Sequence, residues 1–153
     1  MGFQLSGLPI EVFTPLFGQP DAVLRRQNVL RLVAEPGFPC RLSLRDATPG
    51  EPVLLLSYPH LTGPTPYRAT GPIFVRETAR ETAVFTNMVP PEMRPRLYSV
   101  RGYNDAGIML DADVAAGAAL ESLIERLFEN PQIAYLHLHH ARRGCYACRA
   151  DRA

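Results

Sequence analysis

Leu120-Glu121-Ser122-Leu123-Ile124-Glu125-Arg126-Leu127-Phe128, closed by Asn130-Pro131 and followed by Ile133-Ala134-Tyr135-Leu136-His137-Leu138-His139, is the stretch on which the fold turns. In its first half Leu120, Leu123, Ile124, Leu127 and Phe128 recur at steps of three and four, one apolar stripe of a helix aimed at a sheet. Asp113 stands where a cap is expected, so the principal helix is predicted over about 114–129. In the second half the period drops to two: Ala134, Leu136 and Leu138 share one face of a strand, Tyr135, His137 and His139 the other.

Outward from there, short strands dominate. Fifteen prolines cut the chain into pieces too short for a helical bundle. Tyr98–Tyr103 and Ile108–Asp111 flank Asn104-Asp105-Ala106-Gly107, a hairpin signal. Ile73–Arg76, Ala83–Thr86, Val53–Tyr58 and Val29–Ala34 read as strands. Cys40-Arg41-Leu42-Ser43-Leu44-Arg45 alternates, which predicts a strand with Cys40, Leu42 and Leu44 covered and Arg41, Ser43 and Arg45 on the open face. Pro59–Pro72 reads as an ordered loop. Pro9–Phe17 and Asp21–Gln27 supply short N-terminal helices, the second capped by Asp21. The class is therefore α+β: one domain over 1–153, a mixed and mainly antiparallel sheet, and one principal helix packed on it.

Composition excludes several functions. The net charge of +1, from 16 basic and 15 acidic residues, produces no global field for nucleic acid or an anionic membrane. The chain contains no lysine, which removes Schiff-base chemistry and a lysine-based phosphate loop. No apolar run reaches membrane-spanning length, no secretory signal opens the chain, and three cysteines are too few for a disulfide scaffold; a cytoplasmic, reducing location is expected.

The chemistry concentrates near the C-terminus. Cys145 and Cys148 form a CxxC among Arg142, Arg143 and Arg149. Three readings compete for it. Thiolate and imidazole suit zinc, with Cys145, Cys148, His139 and Cys40 as the ligand set and His137 or His60 as alternates. A thiol-dependent enzyme would use Cys145 as nucleophile, with Arg142 and Arg143 favouring its thiolate, and His139 as general acid or base. An anionic small molecule would be held by Tyr67, Arg68 and Arg142, since guanidinium suits carboxylate and phosphate. The anion pocket, formed where the last strand and Cys/Arg tail meet the Tyr67 loop, is the preferred reading. A structural zinc-binding or protein-interaction module, or a thiol-dependent enzyme, is the alternative.

Gly37-Phe38-Pro39-Cys40-Arg41, Val53-Leu54-Leu55-Leu56-Ser57-Tyr58, Pro66-Tyr67-Arg68-Ala69-Thr70-Gly71-Pro72-Ile73-Phe74-Val75 and the closing His139–Arg149 segment resemble the proteins grouped as domain of unknown function 1203. The resemblance spans essentially the whole chain. It implies a bacterial, single-domain protein without an established activity. It draws attention to Cys40, Tyr67, Arg68, His139, Cys145 and Cys148 and assigns none of them a role.

Overall fold

The computed structural model describes residues 2–153. Nine strands form two sheets in which every strand pair is antiparallel. In chain order they are β1 (Phe3–Ser6), β2 (Leu30–Val33), β3 (Pro52–Leu61), β4 (Ala69–Arg76), β5 (Val84–Thr86), β6 (Leu97–Tyr103), β7 (Met109–Ala116), β8 (Tyr135–His140) and β9 (Tyr146–Arg152). The larger sheet runs β5-β1-β9-β8-β6-β7, the smaller β2-β3-β4. The helices are α1 (Asp21–Arg26) and α2 (Leu120–Phe128), joined by short 3-10 turns at 10–12, 14–16, 91–93 and 117–119.

The period switch in the opening stretch sets the layering. All five stripe residues of α2 are at most 7% exposed; each such burial contributes about 1.5–3 kcal/mol. They share a core with Leu136 and Leu138 of β8, Cys148 and Ala150 of β9, Tyr98 and Val100 of β6, and Phe3 and Leu5 of β1. The opposite face of the large sheet presents His137, His139 and Tyr146. Tyr146 joins a second core with Cys40, Leu42, Leu54, Ile73 and Val75, where the small sheet, Phe13 and Leu24 close over it.

Five local expectations are corrected. Cys40–Arg45 is a turn, not a strand: Leu44 N–H bonds back to the Cys40 carbonyl and Leu44 takes φ 55°. Its alternating pattern records packing from several directions, because Leu8 and Ala83 N–H donate to the Arg41 and Leu42 carbonyls and Arg41 N–H donates to that of Phe74. Second, 113–116 belong to β7, pairing with β6 as far as Leu97 and Ala116. Asp113 therefore caps nothing, and its carboxylate pairs with Arg126 of α2. Asp111 and Asp113 instead put exposed charge on an edge strand, which blocks edge-to-edge pairing with another chain. Third, the tail from Tyr146 onward, with Cys148 and Arg149, is itself strand β9, paired with both β8 and β1, while Arg142, Arg143 and Cys145 lie in the turn before it. Fourth, Asp21 is the first residue of α1 and pairs with Arg31 without capping the helix. The loop expected over 59–72 shrinks to 62–68, since β3 and β4 extend into it.

Candidate functional site

A cavity of about 550 Å³ opens between the 35–39 segment and the turn joining β8 to β9. That is within the range of about 300–1,000 Å³ usual for small-molecule sites. Arg41, Arg96, His140, Arg142, Arg143 and Cys145 line it together with Glu35, Phe38 and Phe74. Arg96 is neutralised by Asp46, with two N–H···O bonds of 2.8 and 2.9 Å. Among the described residues Arg41, Arg142 and Arg143 have no carboxylate partner.

Arg41 is the unusual member. Its side chain is only 2% exposed, the largest fully buried one in the chain. The turn that overrides the expected strand carries it inward, where its guanidinium donates to the Tyr146 carbonyl (2.7 Å), the Pro39 carbonyl (2.7 Å) and the Cys145 sulfur (3.1 Å). Burial pulls its pKa below the ordinary arginine value, and the Cys145 sulfur acts against that pull. Uncharged carbonyl acceptors do not neutralise a buried cation, so this geometry favours an anion beside it.

The inter-sheet face carries a second constellation. His137 and His139, each 3% exposed, meet His60 of β3 with ring centroids 6.1 and 5.1 Å away. His60 stacks on Tyr146 at 5.1 Å. The Nδ1 atoms of His60 and His137 and Nε2 of His139 are buried without a hydrogen-bond partner; His139 Nδ1 lies 3.0 Å from the Gly144 carbonyl. Burial lowers His137 to about 3 and His139 to about 4, reinforced by the nearby Arg101 cation. On the far side of β8, His140 packs its ring 5.1 Å from Tyr98 and is lowered to about 3, mainly by burial and then by Arg41 and Arg96. These imidazoles are neutral at neutral pH.

The sequence-derived site residues are split by this fold. Cys145 and Arg142 line the cavity. Tyr67 lies at the other end of the sheet, its ring 6.1 Å from that of Tyr103, which pairs with Tyr135. Cys145 adjoins His140, whose N–H bonds its carbonyl, and the five-residue step from Tyr135 to His140 along β8 corresponds to about 17 Å. Arg68 is exposed in the same distant loop. The four sulfur and imidazole groups considered for zinc are likewise dispersed. Cys148 is wholly buried in the α2 core, where desolvation pushes its thiol up to about 12. Cys40 is buried in the second core and accepts backbone N–H bonds from Leu42 and Arg76. His139 faces the small sheet. All three thiols are free, and among the described residues no group of three or more His, Cys, Asp or Glu is arranged to hold a metal ion.

Arg41 is the residue that sequence reasoning missed. The strand pattern assigned it to solvent, and only its place in Gly37-Phe38-Pro39-Cys40-Arg41, where flanking residues are apolar, hinted otherwise. No described helix is long and apolar enough to cross a membrane. No curated protein and no solved structure matches the chain. Residues 37–152, which include Arg41, the three inter-sheet histidines, the cavity lining except Glu35 and Pro36, and α2, match the family described as Protein of unknown function (DUF1203), and the chain belongs to that family.

Proposed function

We propose that this protein binds a small anionic molecule in the cavity between the 35–39 segment and the β8–β9 turn. The observation that carries the reading is Arg41, a buried guanidinium at the cavity wall with carbonyls and a thiol as its acceptors and no carboxylate. A bound carboxylate or phosphate would supply the missing negative charge and accept N–H groups that the protein leaves open. Arg142 and Arg143, both exposed at the rim, would draw such a ligand in, while Phe38 and Phe74, stacked at 4.4 Å, offer an apolar wall for its carbon skeleton. A reducing cytoplasmic setting fits the three free thiols.

Calorimetric titration of the full chain with citrate and with pyrophosphate tests this. Binding that weakens with added salt and is lost in an Arg142→Ala/Arg143→Ala protein is the expected result. No heat from either anion at low salt, with the native fold verified by circular dichroism, overturns the proposal.

A further inference from the structure

We infer that Cys145 is a thiol-exchange site, taking up one half of a small anionic disulfide guided to it by the arginines of the cavity. The inference rests on the anion-pocket reading and adds a covalent outcome to it. Three features of the structure support it. Cys145 is the one cysteine with solvent access: Cys40 is 1% exposed and Cys148 fully buried. Cys145 lines a cavity of about 550 Å³ together with Arg41, Arg142 and Arg143. It also accepts a hydrogen bond from a buried guanidinium that has no carboxylate partner among the described residues, so a thiolate formed there meets a fixed counter-charge.

The step balances within the two reactants. The Cys145 thiol releases its proton to water and the thiolate attacks one sulfur of the incoming disulfide. A bond forms from Cys145 Sγ to that sulfur and the reagent's own S–S bond breaks. The bonding pair leaves on the departing sulfur as a small anionic thiolate. Cys145 is oxidised to the disulfide level and the reagent is reduced. Attack by Cys148 on the mixed disulfide would require a sulfur now packed against Leu138 and α2 to leave the core. The adduct therefore persists until an external thiol removes it. This is the behaviour of a reversibly blocked binding site, and it differs from the turnover of a CxxC oxidoreductase, whose second sulfur lies within reach of the first and resolves the mixed disulfide.

The test uses the native full chain with glutathione disulfide as the anionic probe and bis(2-hydroxyethyl) disulfide as the neutral one, followed by intact mass and peptide mapping. One adduct is expected, at Cys145. The anionic probe should react faster than the neutral one by about tenfold or more relative to their rates with a free small thiol, the range of electrostatic steering into a charged cleft. That preference should collapse in Arg142→Ala/Arg143→Ala, and citrate should slow the anionic reaction. Parallel citrate calorimetry separates the two ideas. Citrate binding with no charge preference at the thiol, or an adduct first at Cys40 or Cys148, overturns the thiol inference and leaves the pocket standing. Loss of both citrate binding and charge preference overturns both.

Discussion

Lowering the pH from 7.5 to 5 should strip this protein of a large part of its stability, because three imidazoles are held neutral by burial. Ordinary imidazole titrates at about 6.5, whereas His137, His139 and His140 are lowered to about 3, 4 and 3, chiefly by desolvation, with Arg101, Arg149, Arg41, Arg96 and the neighbouring imidazoles adding repulsion. Below about pH 6.5 the unfolded chain therefore binds protons that the folded chain refuses. The contribution is fully present above that pH and is lost as pH falls toward the folded values. At pH 5 each unfolded imidazole gains about 2 kcal/mol from protonation, so the three together cost about 4–6 kcal/mol once the partial exposure of His140 is discounted. Against a typical total of about 5–15 kcal/mol, that is a large share of the fold's stability. With no tryptophan in the chain, urea unfolding followed by far-ultraviolet circular dichroism at pH 7.5, 6 and 5 is the suitable assay. Replacing His137 by Gln should reduce the pH-linked loss at pH 5 by about 2 kcal/mol, one imidazole's share. Equal unfolding free energies at pH 7.5 and 5, or ring protons of the folded protein titrating near the ordinary imidazole value, would refute the reasoning.

Three more outcomes follow from the geometry. Arg41→Leu should weaken citrate binding by about tenfold or more, the worth of one charge-assisted hydrogen bond at about 1.5–3 kcal/mol; calorimetry on protein shown folded by circular dichroism reads this, and Arg41→Lys should recover part of it. Gly7→Ala should destabilise by about 1–3 kcal/mol or more in urea melts, because a Cβ there would stand 2.3 Å from the Leu42 carbonyl oxygen, a backbone atom that is itself engaged by Ala83 N–H. Cys148→Ser should cost about 1–3 kcal/mol, since it sets a hydroxyl in the α2 core. It should leave the reactivity of Cys145 toward glutathione disulfide unchanged, and a loss of that reactivity in folded Cys148→Ser protein would show that the two sulfurs act together.

Local periodicity made the layers legible before any coordinates. The stripe from Leu120 to Phe128 records one continuous buried face, and the alternation from Tyr135 to His139 separates an apolar face from a polar one even though both are covered; each pattern needs no knowledge of the partner. The hairpin of β6 and β7 is similarly local, carried by Asn104, whose side chain accepts the Ala106 and Ile108 N–H groups, and by Gly107 at φ 74°. That reading erred where burial came from several elements at once. Cys40, Leu42 and Leu44 are buried as the alternation implied, yet the backbone between them turns. Arg41 consequently points inward, which the two-residue period assigned to solvent.

The sequence by itself determined that this chain is α+β, where its main helix and last histidine-bearing strand lie, and that its reactive side chains crowd near the C-terminus. Tertiary structure alone decided which of those side chains meet. Cys145 and Cys148 are three residues apart, but the start of β9 sends one to a cavity and the other into the core. Tyr67 and Arg68 were separated from Cys145 by the length of β8. The guanidinium hydrogen-bonded to the Cys145 sulfur comes from 104 residues away in the chain. The physical reason is that periodicity reports how a segment faces its surroundings, whereas a site depends on which distant segments share one space, and that is set by the packing of the two sheets against each other.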